Sequence, residues 1–205
     1  MEKKPSHSLL LTAAGFLNPR VGEVASKIIS NLVTPKAVVV TTAASERENN
    51  KYAKLAKEQL GAMNIKTVDF IDIGTEGSGK IPNYDIIYVC GGNTFALLQA
   101  AQRSDFKNAV LSVLNKGGVY IGVSAGSLIV GPSVKIASEV APDRNKVNLS
   151  DYNSLNLVSV IIFPHYEVQY EDELRSFEER EGVRIIRLNN MQALLIQGDE
   201  IELIQ

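Results

Sequence analysis

A serine set among small residues at the end of an apolar run is the group in this chain best placed to do chemistry. Gly122-Val123-Ser124-Ala125-Gly126 fits G-x-S-x-G, the turn on which a nucleophilic serine passes from a strand into a helix. Glycines suit such a turn because the two backbones crowd each other and the serine adopts a strained conformation. The hydroxyl is then held at the carboxyl edge of a sheet, where open α/β folds bind ligands. The start of the following helix adds N–H donors and a partial positive charge able to stabilise an oxyanion. Taken alone, the pattern also fits a glycine-lined turn with an N-capping serine, so its meaning rests on a base.

A serine nucleophile needs a base, normally a histidine whose other nitrogen is held by an acid. The chain has two histidines. His7 lies in a polar tail, which leaves His165, in Phe163-Pro164-His165-Tyr166 just past an apolar run. The carboxylates available to hold it are Glu139, Asp143 and Asp151, between the serine and the histidine, and Glu167, two residues after it. Spacing alone does not choose among them. Gly91-Gly92-Asn93-Thr94 ends another run and can offer a backbone N–H to an oxyanion hole, with Ala125 as the second donor. No phosphate-binding G-x-x-x-x-G-K-[ST] or G-x-G-x-x-G is present. Cys90, the last residue of its run, reads as buried and structural.

These groups need elements to position them. Apolar β-type runs at Leu9 to Ala13, Ala37 to Thr42, Lys66 to Ile73, Asp85 to Cys90 and Val119 to Val123 alternate with helical periodicity. That alternation predicts helices beneath a largely parallel sheet. Val21, Val24, Ala25, Ile28, Ile29 and Leu32 fall on one helical face, a second helix carries Tyr52, Leu55, Ala56 and Leu60, and a third starts at Asn93. Asp105 is placed to cap a fourth that buries Phe106, Ala109, Val110, Val113 and Leu114, and Ser124 to Val130 has helical character. Beyond Pro132 the pattern gives a strand at Leu157 to Phe163, a charged helix at Tyr170 to Arg180, and short strands at Val183 to Leu188, Ala193 to Ile196 and Ile201 to Ile204. Gly198-Asp199 is a turn dipeptide, so the last two should form a hairpin.

At 205 residues one domain covering 1–205 is the expectation. Apolar residues make up 45% and charged residues 21%, an ordinary globular composition. The net charge of −2, with basic residues scattered, argues against a nucleic-acid partner. No run is long enough to span a membrane, and Met1 to His7 lacks the apolar core of a secretory signal. One cysteine can form no intramolecular disulfide and, with two histidines, is too few for an ordinary zinc site, which leads to the expectation of a reducing cytoplasm. No metal and no cofactor is expected.

Together, Gly91-Gly92-Asn93-Thr94-Phe95 with Leu97-Leu98, Tyr120 to Gly126, and Pro164-His165-Tyr166 resemble peptidase E, the aspartyl dipeptidases of serine peptidase family S51. The resemblance covers nearly the whole chain and implies a flavodoxin-like α/β fold, with a mostly parallel sheet flanked by helices and a nucleophile elbow at a strand-helix turn. It implies Ser124 as nucleophile, His165 as base, and Gly92 and Ala125 as oxyanion donors. Gly91, Asn93 and Thr94 are placed at the substrate, and the acid, counted past Pro132, at Glu139. Where the family carries T-N-D-M-P this chain reads Ser138-Glu139-Val140-Ala141-Pro142. Its counterpart of the arginine-bearing segment after the histidine, Glu167 to Arg175, is strongly acidic, with Arg175 the available cation. The expected function is hydrolysis of short peptides through an acyl-enzyme, down to dipeptides with N-terminal Asp, by a monomer or homodimer. Two alternatives share the scaffold: an esterase or amidase of small substrates, and a non-catalytic small-molecule-binding protein.

Overall fold

A computed structural model describes residues 8–140 and 143–205. The tail expected over Met1 to His7, and Ala141-Pro142, lie outside the described residues. The chain runs β1 (Ser8–Thr12), α1 (Pro19–Ile29), β2 (Lys36–Val40), α2 (Lys51–Ala62), β3 (Thr67–Ile71), β4 (Ile86–Val89), α3 (Thr94–Arg103) and α4 (Phe106–Leu114). It continues through β5 (Val119–Val123), α5 (Ala125–Leu128), α6 (Ile136–Glu139), β6 (Ile161–Pro164), α7 (Glu171–Glu181), β7 (Ile185–Leu188), β8 (Ala193–Gln197) and β9 (Glu200–Ile204).

Seven strands form one sheet in the order β3-β2-β4-β5-β1-β8-β9. The first five are parallel, as βαβ crossovers require, and β8 and β9 extend the sheet antiparallel. This is the mostly parallel α/β sheet that the alternation predicts. Its inner strands β1, β2, β4 and β5 are buried almost throughout because both faces are covered. Ala37 and Val39 pack into the layer under α1 and α2, whereas Val38 and Val40 face α3 and α4.

The second face also carries a feature that the pattern does not announce. β6 and β7 form a separate two-stranded parallel sheet that packs into that layer through Ile161, Ile162, Phe163, Ile185 and Leu188. α7 closes over it by burying Leu174 and Phe177, each worth about 1.5–3 kcal/mol of apolar transfer. The strand expected over Leu157 to Phe163 is shorter than its composition suggests. The N–H groups of Leu157 and Val158 both donate to Val130 O, at 2.8 and 3.3 Å, which folds that stretch over the chain leaving α5. The helix after Ser124 is likewise a single turn, ending as Gly131 donates back to Leu128 O. On α2, Ala53, Ala56 and Leu60 are buried, while Tyr52 and Leu55 remain exposed. Asp105 precedes α4 with φ 55° but does not cap it, its carboxylate accepting from Asn108 Nδ2 instead. The closing hairpin forms as expected, with Gln197 opposite Glu200 across Gly198-Asp199.

Candidate active site

Ser124 sits between β5 and α5 with φ 51° and ψ −111°, a conformation that costs a non-glycine residue about 1–3 kcal/mol and needs rigid surroundings. Those surroundings are built from buried hydrogen bonds. Thr12 N donates to Ser127 Oγ at 2.9 Å, Ser127 Oγ donates to Thr12 O at 2.8 Å, and Ser124 N also donates to Thr12 O at 2.9 Å. Tyr120 Oη donates to Gly126 O at 2.7 Å across the turn. A side chain on Gly126 would lie 2.4 Å from Val89 O, so α5 can start here only without one. The Ser124 N–H is thus engaged by β1, while the N–H of Ala125, first in α5, has no partner within the helix.

His165 and a second side chain arrive from the small sheet. Pro164 pairs with Leu188 in parallel register and Tyr166 N donates to Leu188 O at 3.0 Å, so the chain beyond β6 and the chain beyond β7 emerge together. At that edge His165 Nε2 lies 2.9 Å from Ser124 Oγ and its Nδ1 lies 2.6 Å from Asn190 Oδ1. An amide oxygen only accepts, so Nδ1 carries the proton and Nε2 faces the hydroxyl with a lone pair. Such an arrangement can take a proton from Oγ. The loop that holds Asn190 is braced: Met191 N donates to Asn189 Oδ1 at 2.9 Å, Asn189 N to Gln192 Oε1 at 3.1 Å, and Asn18 Nδ2 to Met191 O at 2.7 Å.

On the other flank of Ser124, β4 delivers Gly91 and Gly92. A Cβ on Gly91 would stand 3.0 Å from that of Ser124, which places this backbone directly against the serine. Gly92 N–H donates to no protein acceptor among the described residues, as is also true of Ala125. With this geometry in view, comparison with known proteins is decisive, for the profile of peptidase family S51 matches residues 9–204. The chain belongs to peptidase family S51. It is 33% identical to an uncharacterised peptidase of Listeria monocytogenes serovar 1/2a over 84% of this chain and 87% of that one. It is 26% identical to the peptidase E of Shewanella denitrificans over 97% and 87%. A crystal structure of a Listeria monocytogenes EGD-e protein assigned to peptidase E superposes with a TM-score of 0.78 at 31% identity, covering 98% of both chains. A peptidase from an acI-B1 actinobacterium shares the fold, with a TM-score of 0.72 at 16% identity over 98% of this chain and 89% of that one. Membership of S51 makes this chain a serine peptidase.

Within this S51 chain the carboxylate expected at His165 is elsewhere. Glu139 ends α6 facing the far part of α7, where it pairs with Arg180 and lies 3.8 Å from Lys135 Nζ. Asp143 accepts from Asn93 Nδ2 at 2.9 Å and Thr94 N at 2.7 Å, Asp151 from Asn153 N at 3.0 Å, and Glu167 from Gln169 Nε2 at 3.1 Å. The amide Asn190 stands where an acid is expected. An orienting group need only accept a hydrogen bond, which an amide oxygen does as well as a carboxylate. The usable signal was an Asn-Asn pair just past a strand, at the edge that also carries His165.

Two further expectations change. Asn93 caps α3 through Oδ1, 2.9 Å from Ala96 N, and its Nδ2 donates to both Asp143 and Arg144 O, while Thr94 is buried. The Asn93 side chain and the Thr94 N–H therefore build the glycine loop. Arg175, expected as the cation for substrate, instead pairs with Glu171 at 2.7 Å from an exposed position on α7. Cys90 is buried, and burial pushes its thiol up to about 12, which makes it inert beside the serine.

Part of the acidic segment is neutralised. Glu171 is held by Arg175 at 2.7 Å and by Arg187 at 3.0 Å. The hydrogen bond from Arg175 and then that from Arg187 draw its carboxyl below the ordinary 4.5 to about 2. A carboxyl with a depressed folded pKa contributes stability that is present above 4.5 and lost as pH falls toward 2. Glu171→Gln should therefore melt a few degrees lower than the parent at neutral pH, with the gap closing through that acid window. Melting curves followed by circular dichroism check this, and a gap that persisted at the acid end would assign the effect to packing.

Among the described residues no group of three His, Cys, Asp or Glu is arranged to hold a metal, and no helix is long and apolar enough to cross a membrane.

Proposed function

We propose that this serine peptidase hydrolyses short peptides through an acyl-enzyme on Ser124, with His165 as base and Asn190 as its orienting group. The observation that carries the reading is the continuous link from Ser124 Oγ to His165 Nε2 at 2.9 Å and from Nδ1 to Asn190 Oδ1 at 2.6 Å. As Oγ attacks the carbonyl carbon, Nε2 takes its proton, and the negative charge on the carbonyl oxygen falls to the N–H groups of Gly92 and Ala125. The imidazolium then protonates the leaving nitrogen and the C–N bond breaks. Water, deprotonated by the same Nε2, releases the acyl group and restores Ser124. Asn190 keeps the imidazole in the reactive tautomer without lending it a negative charge, a role that a Cys-His-Asn arrangement fills in papain-like enzymes. Because Arg175 is engaged by Glu171, an N-terminal aspartate has no support from that residue, and Asp-X dipeptides are one member of the substrate panel rather than its centre.

The test is covalent labelling with a fluorophosphonate, located by mass spectrometry, beside hydrolysis of a panel of short peptides and simple esters. One adduct on Ser124 is expected. Losing the hydrogen bond to an imidazolium costs about 1.5–3 kcal/mol, so Asn190→Ala should label about 10- to 100-fold more slowly, and His165→Ala more slowly still. Labelling away from Ser124, or an undiminished rate in His165→Ala, would refute the assignment. Turnover of esters without any peptide would move the reading to an esterase.

A further inference from the structure

We infer that Leu17 and Met191 wall a subsite for the leaving residue of the peptide, and that this subsite takes an uncharged, apolar side chain. The inference rests on the assignment of Ser124 and His165 above and adds the substrate class.

The sheet order sets out the surroundings of the serine. Across its carboxyl edge, β4, β5, β1 and β8 present in turn the Gly91-Gly92 loop, Ser124, the loop 13–18 and the loop 189–192. A carbonyl oxygen lying toward Gly92 leaves the departing nitrogen on the side of His165, because that imidazole must hand it a proton. The residue beginning at that nitrogen therefore extends toward the loops 13–18 and 189–192.

Those loops are joined and rigid. Asn18 accepts from Arg20 N at 3.0 Å to cap α1 and donates to Met191 O at 2.7 Å, tying the residue after Leu17 to the residue after Asn190. With backbones fixed in this way, Leu17 is 60% exposed and Met191 48% exposed, although Phe16 beside them is buried. No residue from 13 to 18 or from 189 to 192 is charged, and the nearby Arg20 guanidinium is held by Gln205 O at 3.1 Å. The charges flanking these loops are Arg20 and, across His165, Glu167, which holds Gln169. A lysine or aspartate side chain in this position would lose water and find no charged partner within these two loops, whereas an apolar one would cover two exposed side chains. Methionine adapts its shape to its occupant, so the preference is for apolar character rather than for one residue.

The test is kcat/KM of the wild type for peptides sharing one acyl residue with Leu, Ala, Asp or Lys as the leaving residue, beside the methyl ester of that acyl residue. The ester has no leaving side chain and reports the chemistry alone. The Leu peptide is expected to exceed the Asp and Lys peptides by about 10-fold or more, the worth of a few methylenes in an apolar pocket. Leu17→Glu and Met191→Glu should each lower the ratio of the Leu peptide to the methyl ester by about 10-fold and move preference toward Lys. Equal rates for Leu and Lys peptides, or ratios untouched by both substitutions while the ester is turned over through Ser124, would overturn the subsite and leave the catalytic assignment standing. No Ser124-dependent turnover of any substrate, the ester included, would overturn both.

Discussion

Ser124→Ala and His165→Ala should each lower kcat for peptide hydrolysis by about 10⁴- to 10⁶-fold, and the double variant should be no slower than the slower single one. The reason is that the two side chains act as one unit: an unactivated hydroxyl and an imidazole with nothing to deprotonate are equally idle. What survives comes from the Gly92 and Ala125 donors and from binding, so KM should change little. Initial rates with one peptide across the three variants decide the matter. Additive losses would mean that His165 and Ser124 contribute separately, contrary to the 2.9 Å contact between them. The elbow adds a second readout. Because Ser124 is held at φ 51°, Ser124→Gly should abolish turnover and yet raise the melting temperature, by relieving a strain of about 1–3 kcal/mol that the alanine variant retains. A glycine variant no more stable than the alanine variant would show that the elbow conformation carries no such cost.

The residues around this elbow are also the part of the site most legible in the sequence. The elbow is local: a strand, two glycines and a serine within five residues dictate the turn. The crowding they anticipate is observed as the approach of Gly126 to Val89 O and the bond from Tyr120 to Gly126 O. The Gly91-Gly92 loop is legible for the same reason. His165 is found by elimination, since one histidine lies in the tail and one remains. Asn190 cannot be found in either way. It meets His165 only because β6 and β7 pair in parallel outside the main sheet, with Pro164 opposite Leu188. That register depends on apolar contacts with the layer over β5, not on any pattern inside residues 161–188. Counting from the serine leads to Glu139, but sequence distance does not fix direction in space. α6 turns its last residue toward Arg180, and Lys135 and Arg180 satisfy the carboxylate where it lies.

The same distinction holds for the fold. Strands and helices up to Val123 follow the apolar periodicity closely, because each repeats a unit whose faces are both covered. Past Pro132 the backbone is fixed by hydrogen bonds between distant residues, such as those from Leu157, Val158, Leu155 and Asn156 to carbonyls between Ile129 and Gly131. β-type composition there reports burial more than strand pairing. With Asn190 supplied by this less legible half and Ser124 by the legible one, the contacts of His165 with both depend on docking between the small sheet and α5.

The Gly91-Gly92 loop offers the other large effect. Gly92→Ala should lower kcat by about 10²- to 10³-fold, the usual cost of losing one oxyanion donor, and should also lower the melting temperature. Gly92 has φ +140°, a conformation open to glycine alone, and a Cβ there would stand 2.0 Å from Ala43 O. That carbonyl cannot give way cheaply, since it accepts from Asn93 N at 2.9 Å and belongs to the loop after β2 that Arg47 holds to Asp72 at 2.7 Å. The loop must therefore move, and as it moves the Gly92 N–H swings away from the position over Ser124. Gly79→Ala is the control, because a Cβ at Gly79 meets nothing within 4 Å and its backbone needs no glycine. It should leave both kcat and melting temperature as they are. A Gly92→Ala enzyme that is less stable yet keeps its kcat would remove Gly92 from the oxyanion hole and leave Ala125 to carry the charge with a donor other than this loop. A fall in kcat with little change in KM would instead tie the glycine to the transition state, since a donor aimed at the tetrahedral oxyanion does little for the planar carbonyl.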